Sequence, residues 1–465
     1  MYLCTNIRIM TASYNKGFIY FICLVSAMGG LLFGYDWVVI GGAVKFYEAF
    51  FGLGGSPVLQ GIATSAALVG CMAGALTAGA LADRYGRRPL LMAAAVLFTV
   101  SAVATGLFND FWLFCIARLV GGVGIGLASA ISPMYIAEVS PSDVRGRLVS
   151  LNQMTIVLGI LSAQIANWAI ARPDIGGQID PWNIEMGWRW MFWAETVPAA
   201  AFLILSFFIP ESPRWTALNG RREQALSVLS RVGGSAYAES ELAAIAASVA
   251  DAPEQQAGLR ELFRKRYARV LVLGIILAVF QQWCGTNVIF IYAQDVFAGA
   301  GYTVSEAFLN IIVTGVANVL FTILALQVVD RWGRRKLMLL GAGGLALIYL
   351  VLGLCFRGGV TGIVMVALTV AAIACYAMTL APVTWVLLSE IFPNRVRGIA
   401  MAVCTFALWV GSCTLTFAFP SMNAALGCSG SFLIYAAICL CGFLYFLMAC
   451  PETKGKSLEQ LESEL

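Results

Sequence analysis

Three ionisable side chains stand alone inside long apolar runs, and they are of the types that hold and release protons. Asp36 lies in GGLLFGYDWVVIGG (29–42), Arg118 in FWLFCIARLVGGVG (111–124) and Glu195 in WRWMFWAETVPAA (188–200). A charge at the centre of a bilayer costs about 2.5–3.5 kcal/mol on insertion scales, so such residues mark function. Counting about 1.5 Å per residue from Lys45, Asp110 and Arg189 puts the three about 13, 12 and 9 Å below the outer ends of their helices. Similar depth predicts a cluster in which Arg118 offsets one or both carboxylates. A static buried ion pair adds little net stability. A carboxylate whose proton affinity depends on how near an arginine stands is a switchable proton site.

A second set of residues suits hydroxyl-rich ligands. QQWCGTNVIFIY (281–292) carries Gln281, Gln282 and Asn287 on an otherwise apolar segment, and Gln153, Asn318, Trp385 and Trp409 stand in other apolar runs. A side-chain amide both donates and accepts hydrogen bonds, and in hydrocarbon it must find a partner. A lone amide reads as helix–helix hydrogen bonding. Several together match a sugar, whose hydroxyls also donate and accept, and whose apolar ring face stacks on tryptophan.

A third set repeats. DRYGRR (83–88) recurs as DRWGRR (330–335), AEVSPSDVRG (137–146) as SEIFPNRVRG (389–398), and PESP (210–213) is echoed by PET (451–453). These motifs mix acids with arginines: Asp83, Arg87, Arg88, Glu138, Arg145, Glu211 and Arg214 in the first half, Asp330, Arg334, Arg335, Glu390 and Arg397 in the second. The spacing pairs Asp83 with Arg87 and Arg88, Glu138 with Arg145, Glu390 with Arg397, and Glu211 with Arg214. Arginine–carboxylate pairs of this kind suit a breakable latch that clamps the two halves at the cytoplasmic face.

The elements that must position these residues are membrane helices. Of 465 residues 60% are hydrophobic and only 12% charged, against roughly 25% charged in soluble domains. Apolar segments predict twelve spans near 17–44, 57–82, 89–108, 111–136, 148–171, 188–209, 268–299, 304–329, 337–356, 361–388, 399–422 and 430–450. With the N-terminus inside, 24 of the 29 Lys and Arg fall on the cytoplasmic side, four outside and one, Arg118, within a span. That bias orients the chain with both termini cytoplasmic. The expected organisation is an all-α membrane protein. It has a cytoplasmic tail (1–16), a six-helix bundle (17–209), a small cytoplasmic helical domain (210–267), a second six-helix bundle (268–450) and a cytoplasmic tail (451–465). Parallel repeats of this type bind substrate at the midplane between the halves.

On GALADRYGRR, YIAEVSPSDVRGR, PESPRW, QQWCGTNVIFIYA, VDRWGRR, SEIFPNRVRG and PETKGKSLE, the chain resembles the sugar porter family of the major facilitator superfamily over nearly its whole length. Within it the chain is similar to bacterial proton-coupled xylose symporters and to facilitative glucose transporters. The resemblance implies a monosaccharide:proton symporter of the inner membrane, for a D-xylose or D-glucose type of sugar, working by alternating access. It places the seven amide and tryptophan positions at the sugar site and the charged loops at the cytoplasmic gate. Proton-coupled members carry aspartate at the position of Asp36, where the facilitative ones are neutral. Two residues depart from the xylose pattern: Ile291 replaces the first member of a tyrosine pair, and Leu408 stands where relatives have an amide before Trp409.

Other classes fit poorly. The chain has no histidine, which removes the commonest metal ligand and proton relay, and no cofactor or metal is expected. Its 13 cysteines are scattered singly, without a disulfide or zinc spacing. GGVGIG (121–126) has the wrong spacing for a dinucleotide loop and sits inside a span, where it reads as a close helix contact. The net charge of +4 is spread over short loops and does not suggest nucleic acid. An uncoupled facilitative uniporter is the alternative, with a sugar sensor further behind. The expected partners are sugar, proton and lipid bilayer, with the chain a monomer.

Overall fold

The computed structural model describes residues 14–250, 262, 265–393 and 396–453. Most of the N-terminal tail, residues 251–261 of the expected linker domain and 454–465 of the C-terminal tail lie outside the described residues, as does the side chain of Asp330.

The described chain is helical almost throughout. In chain order the first helices are α1 (Lys16–Phe51), α2 (Pro57–Tyr85), α3 (Arg87–Leu107), α4 (Phe111–Val139), α5 (Arg145–Ile170), α6 (Trp188–Ala194) and α7 (Thr196–Ser206). Next come α8 (Pro213–Leu218) and α9 (Arg222–Ala250), followed by α10 (Lys265–Trp283), α11 (Thr286–Ile291) and α12 (Ala293–Gly299). The last are α13 (Val304–Trp332), α14 (Arg334–Arg357), α15 (Ile363–Met378), α16 (Leu380–Ile391) and α17 (Arg397–Ala449). Among the described residues ten stretches are long and apolar enough to cross a membrane. Apolar side chains also cover the outside, Val197 being 75% and Met448 81% exposed, as a lipid-facing surface requires.

Local chemistry explains where the helices start and break. Ser56 accepts a hydrogen bond from the Leu59 amide with Pro57 at the first turn, Asp110 accepts from the Trp112 and Leu113 amides, and Thr303 and Glu306 form a reciprocal capping box. Pro198 has no amide hydrogen and its ring crowds the carbonyl of Ala194, which is where α6 gives way to α7. Pro382 does the same to Met378, where α15 gives way to α16. The segment expected as one span at 268–299 is broken twice, at Gly285 (φ +88°) and at Tyr292. In α17, 53 residues run on through Gly427 (φ +65°), whose non-helical backbone joins two helices across a kink. Unbroken, they would reach about 80 Å.

Close packing depends on a few glycines. A Cβ at Gly122 would stand 1.8 Å from the Ala67 carbonyl oxygen, and one at Gly70 would stand 2.0 Å from that of Leu119. Thus α2 and α4 cross backbone on backbone, the role expected for GGVGIG. The contact of α1 with α5 is alike: a Cβ at Gly34 would meet the Ile156 oxygen and one at Gly159 the Leu31 oxygen, each at 2.0 Å. Helix α9, interrupted at Gly234, folds on α8 around Ala225, Leu229, Ala238 and Leu242. It docks on the start of α1 through Tyr14–Tyr237 and Arg231 over the Phe18 ring.

Gly122→Ala should therefore force α2 and α4 apart and cost about 1–3 kcal/mol of stability. Gly79→Ala, whose new Cβ would meet nothing within 4 Å, should cost no stability and gain up to about 1 kcal/mol. Thermal unfolding of both purified variants in detergent checks the contrast.

Candidate functional site

The structure brings the three intramembrane charges together. Asp36 on α1 and Arg118 on α4 form a salt bridge, each side chain 2% exposed, and Arg118 Nη2 also donates to the Asp36 carbonyl at 3.2 Å. The guanidinium stands 5.1 Å above the Phe192 ring. Glu195, at the α6–α7 break, is buried and interacts with both Asp36 and Arg118. Among the described residues Arg118 Nε has no hydrogen-bond partner. Two carboxylates with one guanidinium carry no net charge when one carboxylate holds a proton, and a site so dry disfavours net charge.

Three of the amides form a chain. The Asn287 amide donates to Gln282 Oε1, Gln282 Nε2 donates to Gln281 Oε1 at 2.9 Å, and Gln281 Nε2 donates to the Ala381 carbonyl at 3.4 Å. The break at Gly285 lets residues from α10 and α11 meet in this way. Trp385 lies one turn beyond Ala381 on α16 and is 38% exposed. Trp409 on α17 is buried, its indole N–H unpartnered, with its ring 5.8 Å from both Phe33 and Trp37 of α1. Gln153 on α5 and Asn318 on α13 occupy two helices that pack together; among the described residues no side-chain hydrogen bond ties them to the amide chain. Ile291 and Leu408 are buried in the apolar core.

The repeated motifs build the same corner twice. Gly86 and Gly333 turn sharply at φ +97° and +88°, conformations that favour glycine. In the first corner the Glu211 carboxylate accepts from the Arg87 and Arg88 amides, Arg87 pairs with Glu138 at 2.9 Å, Ser212 donates to Glu138 and Arg88 reaches the Phe207 carbonyl. In the second, Glu452 accepts from the Arg334 amide, Arg334 pairs with Glu390 at 3.1 Å, Thr453 donates to Glu390 and Arg335 reaches the Leu447 carbonyl. Each carboxylate neutralises the open amides at a helix start.

These partners differ from the pairs the spacing suggested. Glu138 and Glu390 engage Arg87 and Arg334, while Arg145 and Arg397 turn back to the Ser140 and Phe392 carbonyls. Glu211 serves amides, not Arg214. The physical reason is proximity: the tight glycine turn delivers the arginine that follows it straight to the end of the neighbouring helix. Asp83 does pair with Arg87, at 3.5 Å. In this conformation the ion pairs of the two corners tie helices within one half of the chain.

Bonds between the halves gather at the end remote from these corners. Lys45 of α1 pairs with Asp295 of α12. The Tyr292 hydroxyl meets Thr64 Oγ1 of α2 at 2.7 Å and donates to the Thr416 carbonyl of α17 at 2.7 Å, and the Asp174 amide donates to Ser305 at 3.0 Å. Asp295, Thr64, Phe33 and Trp37 were not singled out from the sequence, and Lys45 only as the outer end of its helix. The opposite charges of Lys45 and Asp295 at two helix ends were the available signal.

A twice-repeated helical scaffold with a buried charge cluster, an amide-and-tryptophan cluster and bonds bridging its halves at one end defines a multi-pass membrane carrier. The family model described as "Sugar (and other) transporter" matches residues 22–465, and the chain belongs to this family of transporters, which are not enzymes. It is 37% identical over 454 residues to the arabinose-proton symporter of Bacillus subtilis (strain 168), covering 97% of this chain and 96% of that one. It is 38% identical over 484 residues to the D-xylose-proton symporter of Escherichia coli (strain K12), covering 98% and 97%. Among solved structures, the inward-open xylose transporter XylE from E. coli matches with a TM-score of 0.85 at 36% identity, covering 96% of this chain and 99% of that one.

The Lys45–Asp295 pair is 30% and 20% exposed, so solvent screening limits its worth to about 1 kcal/mol or less. Lys45→Ala should shift the closed–open balance of that end by up to about fivefold. The swap Lys45→Asp with Asp295→Lys should restore it. Distance distributions between spin labels at Gly54 and Val360 read the shift.

Proposed function

We propose that the chain is a proton-coupled monosaccharide symporter working by alternating access. The observation that carries this is the buried Asp36–Arg118 pair with Glu195 beside it. In this reading Asp36 takes a proton when the carrier faces outward and gives it up when it faces the cytoplasm, and Arg118 drives the release. Sugar of the D-xylose or D-glucose type binds to Gln153, Gln281, Gln282, Asn287 and Asn318 between Trp385 and Trp409. The two relatives named above, one for arabinose and one for D-xylose, support both the sugar class and the coupling.

The reading includes the topology. The ten long apolar stretches, the broken α6–α7 helix and the division of α17 at Gly427 together supply twelve spans. These form two six-helix bundles, 17–209 and 268–450, with residues 210–267 as a helical domain on the cytoplasmic side. The positive-inside bias supports cytoplasmic tails at 1–16 and 451–465 and an inner-membrane location. The carrier is a monomer whose sugar and proton paths both lie within one chain. With the Lys45 end outermost, the conformation is closed to the outside. The two charged corners then stand apart, and on reversal they meet as the cytoplasmic gate formed by Asp83, Arg87, Arg88, Glu138, Arg145, Glu211, Arg214, Asp330, Arg334, Arg335, Glu390 and Arg397.

The test uses purified protein in proteoliposomes with a panel of labelled sugars. Wild type should accumulate its sugar when an inward proton gradient is imposed. Asp36→Asn should keep sugar binding and sugar exchange but lose uphill accumulation. Uphill uptake by Asp36→Asn equal to wild type would refute the coupling. In a second arm, Gln282→Ala and Asn287→Ala should each weaken equilibrium sugar binding by about 1–3 kcal/mol, or roughly five- to 150-fold. Unchanged binding in both would move the sugar site elsewhere.

A further inference from the structure

Asp36 and the tryptophan cluster are separate in function but adjacent in the chain. Trp37 follows Asp36 on α1, and successive helical side chains point about 100° apart. The carboxylate therefore turns into the first half of the chain toward Arg118, while the indole turns toward the second half. Its ring centroid is 5.8 Å from that of Trp409, at an interplanar angle of 46°. Phe33, one turn earlier, closes the trio at 5.5 Å from Trp37 and 5.8 Å from Trp409. Trp37 and Phe33 are half-buried, whereas Trp409 is buried with its indole N–H unpartnered.

The backbone around this trio has no slack. A Cβ at Gly34 would stand 2.0 Å from the Ile156 carbonyl oxygen, and one at Gly41 would stand 2.4 Å from that of Phe290. Helix α1 is thus gripped by α5 on one flank and by α11 on the other, above and below Trp37. Those contacts block sideways displacement of α1, so a push on the indole is taken up by a small rotation of this segment about its own axis, and the segment also carries Asp36. The groups facing that carboxylate belong to other helices: Arg118 of α4, Glu195 at the α6–α7 break and the Cys71 thiol of α2. Tyr35 on α1 itself interacts with Glu195, and Tyr47 with Arg118. A turn of α1 therefore moves Asp36 against a fixed cation and a fixed anion.

We propose that Trp37 is the positioning residue that couples the two sites: it rests on Trp409, registers what occupies the face of that indole, and sets the distance between Asp36 and Arg118. This rests on the symporter reading above. A sugar stacked on Trp409 displaces the Trp37 ring, and the displacement reaches the proton site through one helical step. Trp37 need not bond the sugar itself.

The experiment compares wild type, Trp37→Ala, Trp37→Leu and Trp37→Phe in proteoliposomes. It reads sugar counterflow without a proton gradient, the proton-to-sugar ratio, and the pH dependence of the sugar KM. For wild type, one linked proton changes the KM by up to about tenfold per pH unit across the titration. Trp37→Ala and Trp37→Leu should retain counterflow, move fewer protons per sugar and lose most of that pH dependence. Trp37→Phe, which restores an aromatic contact, should recover both. If Trp37→Leu shifts the KM by one constant factor at every pH, with an unchanged proton-to-sugar ratio, Trp37 is packing only and the inference is overturned. Wild type without any proton dependence would instead remove the symporter reading, an outcome distinguishable because it needs no variant.

Discussion

A carboxylate and a guanidinium taken out of water must face each other, and the first half of this molecule is arranged so that they do. Asp36 and Arg118 come from helices α1 and α4, 82 residues apart. They meet because α2 and α4 cross at glycines and α1 lies against α5 at glycines, so that backbones approach without intervening side chains. With larger residues at those crossings the helices would stand further apart, and the charges would be left unpaired in a medium where that costs several kcal/mol. Glu195 completes the arrangement because Pro198 breaks the helix at its own position. The buried charge cluster is therefore a consequence of small residues and one proline as much as of the acids and the arginine.

The charged corners solve a different problem with the same economy. Every helix start exposes amides that need acceptors, and two helix starts here, those of α3 and α14, are closed by glutamates from far along the chain, Glu211 and Glu452. The arginine that follows each tight glycine turn then reaches the end of a third helix, at Glu138 or Glu390. Each corner ties three helices of its half into one rigid unit. Rigid halves are what alternating access needs, since the halves must rock without deforming.

Between the rigid units lie the broken helices. Gly285 and Tyr292 interrupt one apolar segment beside the amide chain and the Thr379 break interrupts a second, and irregular backbone at membrane depth is tolerated where protein or a cavity surrounds it. The far end is closed by side chains carried on one of these short pieces: Tyr292 on Thr64 and Asp295 on Lys45. A short helix between two breaks moves more readily than a long continuous one, which suits a gate.

Much of this was legible in the sequence because lipid imposes local rules. An apolar run of about 20 residues must be a helix, since nothing else satisfies its backbone in hydrocarbon, and the repeated motifs announced two equivalent halves. Depth counting brought Asp36, Arg118 and Glu195 to one level because helical rise is constant. Polar side chains stranded in apolar runs marked Gln281, Gln282 and Asn287 as a group. Partners were another matter. Spacing suggested Glu138 with Arg145 and Glu390 with Arg397, but the glycine turns handed both glutamates to Arg87 and Arg334. The Lys45–Asp295 pair, the Tyr292–Thr64 bond and the contact of Trp37 with Trp409 join residues more than 200 positions apart. Depth and polarity are properties of a residue in its own helix, and the sequence by itself determined them. Which side chain meets which across two helices depends on rotation and crossing, and those were decided by the packed whole.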